Sequence, residues 1–194
     1  TIGAGATINV NAGVLRLANA TALGAANTAG INVNVNNGTV LELANLTATG
    51  GRITLNDGGT IRGTAAGGFN NGLAGTLRVA EGATVNINSG ASTASFVGGG
   101  FGDSLTLTTG LTFLGAANVN VAGNGRVHLN GAATGNATWN VNNGLLLLGH
   151  VSALGATPAS SPITVNAGGG LGASIVGPIM NPITLNGGAL VGAN

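Results

Sequence analysis

The chain has 194 residues, of which 38 are glycine, and its five arginines and four carboxylates leave a net charge of +1. The charges form no basic block, which excludes an electrostatic footprint for nucleic acid. No run of 18 apolar residues accompanies the mean hydropathy of +0.45, so we predict no membrane span. The absence of cysteine excludes disulfides and thiolate metal sites. The length predicts one domain, 1–194, and the start at Thr1 indicates a fragment or processed piece of a longer surface protein.

Nine rows of the form apolar-x-apolar-x-x-Gly follow one another along the chain, and eight of them end on glycine. They begin at residues 8, 33, 53, 77, 105, 119, 139, 163 and 183. Alternation within a row predicts a strand with one buried face, and a second short strand follows the glycine turn. The mean spacing of about 22 residues is typical of one solenoid coil. We therefore predict an all-β parallel β-helix (β-solenoid) of about nine coils of roughly 22 residues.

One part of the row pattern is irregular. The rows at 105 and 119 begin only 14 residues apart, which is too close for equivalent places on successive coils. We expect the 105 row on another side of the solenoid, with two coils of about 21 residues between 77 and 119. The register of this segment stays open.

Asparagine recurs at the fourth position of the rows. Stacked coils bring the same position of neighbouring coils to about 4.8 Å, where like charges repel and amides donate and accept along the stack. Neutral ladders of this kind explain why only 5% of the residues are charged. We predict structural asparagine ladders at Asn11, Asn36, Asn56, Asn142, Asn166 and Asn186.

Two segments are similar to each other, ATALGAANTAGINVNVNNG from residue 20 and VSALGATPASSPITVNAG from residue 151. The order of TINVNAGVLRL, ATALG, a Thr/Asn/Val-rich strand and an Asn-x-Gly turn resembles the autotransporter-associated β-strand repeat of bacterial type V secreted passengers. The resemblance covers residues 7–58 and 138–192, without the family's aromatic NTYTG-x-T segment. It implies a right-handed parallel β-helix at the cell surface or outside the cell, acting as an adhesin, stalk or self-associating fibre without catalytic residues.

Charged residues also align between coils. Arg16, Glu42 and Arg62 occupy the same place on successive second strands, followed by Asn86 and, further along, His128. This pattern predicts a surface ion-pair ladder of low stability, typically under about 1 kcal/mol per pair. The alternative interpretation is an arginine-lined groove for an anion or a carbohydrate.

Two turn carboxylates, Asp57 and Glu81, share the fifth row position on adjacent coils. A separation of about 5 Å is associated with retaining glycosidases, so a polysaccharide-active β-helix enzyme is one alternative. A weak Ca²⁺ site is another. Their turn location and the nearby Arg78 favour solvated surface charges, and GGGFGDSL at 98–105 reads as a loop. We predict no enzyme activity, no catalytic or metal-binding residues and no cofactor.

Three phenylalanines, Phe69, Phe96 and Phe101, fall in Gly-rich insertions at 64–75 and 89–104. Insertions in a solenoid form projecting loops, often on its binding face. The rings either fold back onto the stack or form a candidate interaction surface for another chain or a glycan.

Two function classes follow from these features. The first is a structural or adhesive extracellular rod that associates with its own kind, end to end or laterally. We find no amphipathic capping helix before residue 8 or after 183, and residues 127–194 contain no Asp, Glu, Lys or Arg. The second is a glycan- or ice-binding module with a flat Asn/Thr ladder face. Arg78 occupies the second row position and would interrupt such a face.

Overall fold

The computed structural model describes residues 5–24, 30–46, 49–64, 70–90, 104–175 and 177–192. These residues form 19 short strands and one 3₁₀ turn at Pro158–Ser160. In chain order the strands are β1 (Thr7–Val10), β2 (Val14–Leu17), β3 (Asn32–Val35), β4 (Val40–Ala44), β5 (Arg52–Leu55), β6 (Thr60–Thr64), β7 (Asn70–Leu73), β8 (Thr76–Val79), β9 (Thr84–Asn88), β10 (Ser104–Leu107), β11 (Leu111–Phe113), β12 (Ala117–Ala122), β13 (Arg126–Leu129), β14 (Ala137–Val141), β15 (Gly144–Leu148), β16 (Ile163–Asn166), β17 (Gly169–Ala173), β18 (Ile183–Asn186) and β19 (Ala189–Gly192). Within the described ranges, no helix is long and apolar enough to cross a bilayer.

The strands stack into three parallel sheets, which makes the chain a parallel β-solenoid, as the sequence predicts. Sheet A contains five strands in the order β1-β3-β5-β8-β11. Sheet B contains eight in the order β2-β4-β6-β9-β12-β14-β16-β18, and sheet C contains six in the order β7-β10-β13-β15-β17-β19. Sheet B contributes a strand to every coil, so the described residues form eight coils.

The coils differ in length because the connections between their strands differ. Paired positions on sheet B are 20 residues apart from Val40 to Thr60 and 34 apart from Thr84 to Asn118. The longest step includes the insertion before β10. A side-chain period of two is compatible with all of these lengths, because each connection returns the strand to the same register.

The nine sequence rows do not mark nine equivalent places, which corrects the predicted coil number. The rows at 8, 33, 53 and 77 belong to sheet A, the row at 105 belongs to sheet C, and the last four belong to sheet B. The expected displacement of the 105 row to another side is therefore confirmed. The expectation of two coils between 77 and 119 is wrong, because Leu77 pairs with Leu111 and Val119 pairs with Val85.

Inward-facing aliphatic side chains fill the solenoid in continuous columns. One column on sheet B has members that are at most 1% exposed and consists of Leu41, Ile61, Ile87, Val121, Val141 and Val165. Each fully buried aliphatic side chain of this size contributes about 1.5–3 kcal/mol relative to an exposed one. The corner between sheets A and B needs left-handed residues, which Gly58 (φ 70°) and Gly82 (φ 71°) provide without steric cost.

Loops replace one side of the coils at each end of the stack. In the first two coils the described residues 18–24 and 45–46 follow sheet B, and no strand of sheet C is present there. In the last three coils the loop instead takes the side of sheet A, and it includes the 3₁₀ turn at Pro158–Ser160. Leu23 and Leu154 close these loops over the core, each only 1% exposed.

Candidate functional surfaces

Arg16, Glu42 and Arg62 lie on three consecutive rungs of sheet B. Glu42 Oε1 is 3.3 Å from Arg16 Nε, and Glu42 Oε2 accepts hydrogen bonds from Arg62 Nε at 3.1 Å and from Arg62 Nη2. The side chain of Glu42 is only 11% exposed, whereas that of Arg16 is 63% exposed. Both carboxylate oxygens of Glu42 are therefore paired with arginines of the same chain. This geometry favours a structural ion-pair ladder over an open groove for an anion.

The column that contains this triad continues differently from the prediction. Arg62 pairs with Asn88, two residues beyond the expected Asn86. His128 lies on another sheet, sheet C. It is two residues after Arg126 on the same strand, so both side chains lie on the same face. Burial lowers the pKa of His128, and the positive charge of Arg126 lowers it further. The Nε2 atom of His128 is buried and has no hydrogen-bond partner among the described residues, and burial of this kind disfavours the charged imidazolium.

The predicted asparagine ladders form as two separate columns. Near the amino end, Asn36 Nδ2 donates to Asn11 Oδ1 at 2.7 Å, and Asn56 Nδ2 donates to Asn36 Oδ1 at 2.6 Å. Near the carboxyl end, Asn166 donates to Asn142 at 2.8 Å and Asn186 donates to Asn166 at 3.0 Å. The first column follows sheet A and the second follows sheet B. In every bond the amide of the later coil donates to the earlier coil, so the ladders have one direction.

The two turn carboxylates lie at the corner between sheets A and B. Asp57 Oδ1 accepts a hydrogen bond from the backbone N–H of Thr84 at 2.9 Å, which gives this carboxylate a structural role. The side chain of Glu81 lies against Gly115 on the next coil. The described residues contain no cluster of three or more His, Asp or Glu side chains that could hold a metal ion. Asp57 therefore caps the turn at this corner, and within the described part of the chain no third acidic side chain joins Asp57 and Glu81.

The outward face of sheet B from β9 to β18 carries no charged residue, and we call this surface the neutral face. Its members are Thr84, Asn86, Asn88, Asn118, Asn120, Ala122, Thr138, Asn140, Asn142, Thr164, Asn166, Thr184 and Asn186. Arg78 belongs to β8 on sheet A and does not interrupt it. In the sequence Arg78 shares the second row position with Asn120 and Asn140, although its row lies on sheet A and theirs lie on sheet B.

Phe69, Phe96 and Phe101 all lie outside the described residues, so their roles stay predictions. Part of the first insertion is described, and there the structure differs from the predicted projecting loop. Residues 70–73 form β7 in sheet C, and Leu73 is only 1% exposed. Asn71 is fully buried and accepts a hydrogen bond from the backbone N–H of Leu46 at 3.2 Å. β7 is the first strand of sheet C, so the pattern of two strands per coil ends at this coil.

The tryptophan at position 139 is a residue whose role the row pattern did not predict. Trp139 is fully buried, and its Nε1–H donates to the backbone carbonyl of Leu154 at 2.8 Å. Its ring meets Phe113 edge to face, with centroids 6.1 Å apart and planes at 88°. Phe113 belongs to the last strand of sheet A, and Leu154 belongs to the loop that follows on that side. Trp139 therefore joins sheet B to the place where sheet A ends.

The chain matches no protein-family model, no curated protein and no solved structure at a significant level. The class of protein defined by the structure is a parallel β-solenoid with neutral amide ladders. The resemblance to the autotransporter-associated repeat, and the handedness that it implies, stay predictions.

Proposed function

We propose that this chain is a structural or adhesive element of an extracellular rod, which associates end to end with further copies of itself. The observation that carries the proposal is the exposure of core side chains on the last described rung, which consists of β18 and β19. Ile183, Leu185 and Leu190 continue the core columns of sheets B and C, yet they are 36%, 48% and 61% exposed. A further coil stacked on this rung would bury these side chains and pair the edges of β18 and β19.

The direction of the asparagine ladders supports stacking of copies in a head-to-tail arrangement. On sheet B the last rung presents the amide oxygen of Asn186, and the first rung of the same column presents the guanidinium of Arg16. A head-to-tail contact along sheet B would therefore place a donor against an acceptor, as a heterologous interface that forms filaments requires. Sheet B has strands at both ends, β2 and β18, so it is the sheet that would run on between copies.

Negative-stain microscopy and sedimentation of the purified chain over a concentration series test the proposal. We expect unbranched filaments with a repeat of about 38 Å, the length of eight rungs at the interstrand spacing. The double variant Leu185→Asp with Leu190→Asp should abolish the filaments, because it places charge in the end interface. The control is Leu114→Asp, since Leu114 is 52% exposed on the side of the rod. Isolated wild-type rods at every concentration would contradict the proposal.

A surface or extracellular location belongs to the same proposal. Its support is the neutral, hydrogen-bonded rod and the family resemblance of residues 7–58 and 138–192. The charge ladder of Arg16, Glu42 and Arg62 serves as internal stabilisation in this function, because its charges are paired within one chain.

A further inference from the structure

The neutral face presents a regular two-dimensional array of polar groups. Along the stack, the same position repeats every rung, at about 4.8 Å, and along a strand the outward side chains repeat every second residue, at about 6.7 Å. The two main columns are Asn86-Asn120-Asn140-Thr164-Thr184 and Asn88-Ala122-Asn142-Asn166-Asn186. Thr84, Asn118 and Thr138 add the beginning of a third column. The array extends over five rungs, and Ala122 is the single apolar member.

The amides of this array are held in place before any ligand arrives. Asn120 donates to Asn86 and Asn140 donates to Asn120, both at 3.4 Å, and the Asn142-Asn166-Asn186 bonds are shorter. Each ladder bond uses one N–H and one oxygen lone pair of an amide. One N–H and further lone-pair capacity remain on each side chain. The face therefore offers donors and acceptors together, with little conformational entropy left to lose.

These properties restrict the chemistry of a partner. A charged partner finds no counter-charge on the neutral face, because the ion pairs of sheet B are confined to its first three rungs. A sugar ring usually packs its C–H face on an aromatic side chain, and the described residues expose no aromatic ring on this face, since Trp139 is buried beneath it. The partner that fits these restrictions is a neutral, periodic lattice whose members both donate and accept hydrogen bonds.

We propose that the neutral face is an ice-binding surface, and that its ligand is the ordered water lattice of an ice crystal. The repeat along the stack is close to the oxygen repeat along the a axis of hexagonal ice, and the repeat along a strand is slightly shorter than that along the c axis. The absence of charge on these five rungs favours this ligand, because an ionised side chain orients its hydration water away from a tetrahedral lattice. The proposal does not rest on self-association of the rod.

Two asparagine variants test the proposal with a matched control. Asn140→Arg places a charge in the middle of the neutral face and removes one ladder bond. Asn34→Arg is the control, because Asn34 is also half-buried and also makes one ladder bond, to Asn9, but lies on sheet A. Thr138→Lys is a second test variant at an exposed position of the neutral face, in case Asn140→Arg does not fold. Circular dichroism checks the folding of each variant.

The readouts are partition of the chain into a slowly growing ice hemisphere, inhibition of ice recrystallisation and thermal hysteresis. We expect the wild type and Asn34→Arg to enter the ice and to inhibit recrystallisation. Asn140→Arg and Thr138→Lys should lose at least about tenfold in potency, because a charge at a desolvated contact is left unpaired. Exclusion of the folded wild type from ice overturns the proposal, as does equal potency of all four proteins. Binding to crystalline cellulose without ice activity also overturns it, in favour of a polysaccharide ligand. Sedimentation of the same samples reports the self-association of the rod separately.

Discussion

The first two coils and the last three coils use the same unit of two strands and a loop, but on different sides of the solenoid. In the first two coils the strands lie in sheets A and B, and in the last three they lie in sheets B and C. The loops of the duplicated segments contribute Leu23 and Leu154, which are equally buried. Between these regions, three coils carry strands on all three sides. The repeating unit is therefore strand, turn, strand and loop. Its two strands can lie in sheets A and B or in sheets B and C.

The early and late regions also differ in how their outward side chains avoid like-charge repulsion between rungs. All charged side chains lie before residue 127, and residues 127–194 contain no Asp, Glu, Lys or Arg. The early rungs of sheet B are joined by the Arg16–Glu42–Arg62 ion pairs, whereas the late rungs are joined by the Asn142–Asn166–Asn186 amides. Both devices avoid like-charge repulsion at the rung spacing. The amide ladder can be extended without limit, because each asparagine donates and accepts.

The largest effect is expected at Trp139, next to the place where sheet A ends and a loop takes over that side of the solenoid. Trp139→Ala removes a fully buried indole, its contact with Phe113 and its hydrogen bond to Leu154. We expect a loss of about 3–5 kcal/mol in the free energy of unfolding. Urea unfolding followed by circular dichroism measures this loss without relying on tryptophan fluorescence.

Two further variants separate the contributions of Trp139. Trp139→Phe keeps an aromatic ring but leaves the Leu154 carbonyl without its donor, so about 1–3 kcal/mol should be lost. Val151→Ala is the control in the same loop, because Val151 is 43% exposed. If Trp139→Ala were as stable as Val151→Ala, the loop on the side of sheet A would not depend on the indole.

A smaller effect is expected from breaking the charged ladder of the early coils. Glu42→Gln removes the charge that faces Arg16 and Arg62, and the two guanidinium groups then lie on alternate rungs without a counter-charge. We expect a loss of about 2 kcal/mol, the value of hydrogen bonds to charged groups. The loss should shrink in 1 M salt, because Arg16 is largely exposed and its interaction is screened.

Glu81→Gln is the matched control for the charged ladder. It makes the same chemical change at a corner position where the structure shows no ion pair among the described residues. Its unfolding midpoint should stay that of the wild type at both salt concentrations. An equal loss in the two variants would mean that net charge, and not the ladder, determines stability.

The coil architecture and the ladders could be predicted from sequence because both depend on local spacing. A period of two with a glycine turn is sufficient to identify a strand and its corner, and stacking then places asparagine on asparagine. Asn11, Asn36 and Asn56 align because their rows lie on one sheet and differ by whole coils. The alignment of Arg16, Glu42 and Arg62 has the same origin.

The side of the solenoid could not be predicted from spacing, because every parallel strand has the same alternation whichever sheet it joins. The pairing of β8 with β11 and of β9 with β12 depends on where the chain leaves and re-enters the stack around a long insertion. For this reason Arg78 was aligned with Asn120 although the two lie on different sheets. The role of Trp139 depends on a loop carbonyl 15 residues away, and no repeat pattern indicates that contact.

The smallest effect is expected from pH, and it concerns His128 of β13, in the middle coils that carry strands on all three sides. Beyond Arg126 the sequence contains no carboxylate side chain, and histidine is the residue type whose charge changes between pH 5 and 8. Burial and Arg126 lower the pKa of His128 in the folded chain. The unfolded chain therefore binds the proton more readily, and stability that is present above about pH 6.5 is lost as the pH falls toward the folded pKa. We expect the thermal midpoint to fall between pH 7.5 and 5.5, and His128→Gln to reduce this fall. Thr106→Ser, on the adjacent rung of sheet C, should keep the wild-type pH dependence because it removes no titrating group. An unchanged slope in His128→Gln would assign the pH dependence to the charged early coils.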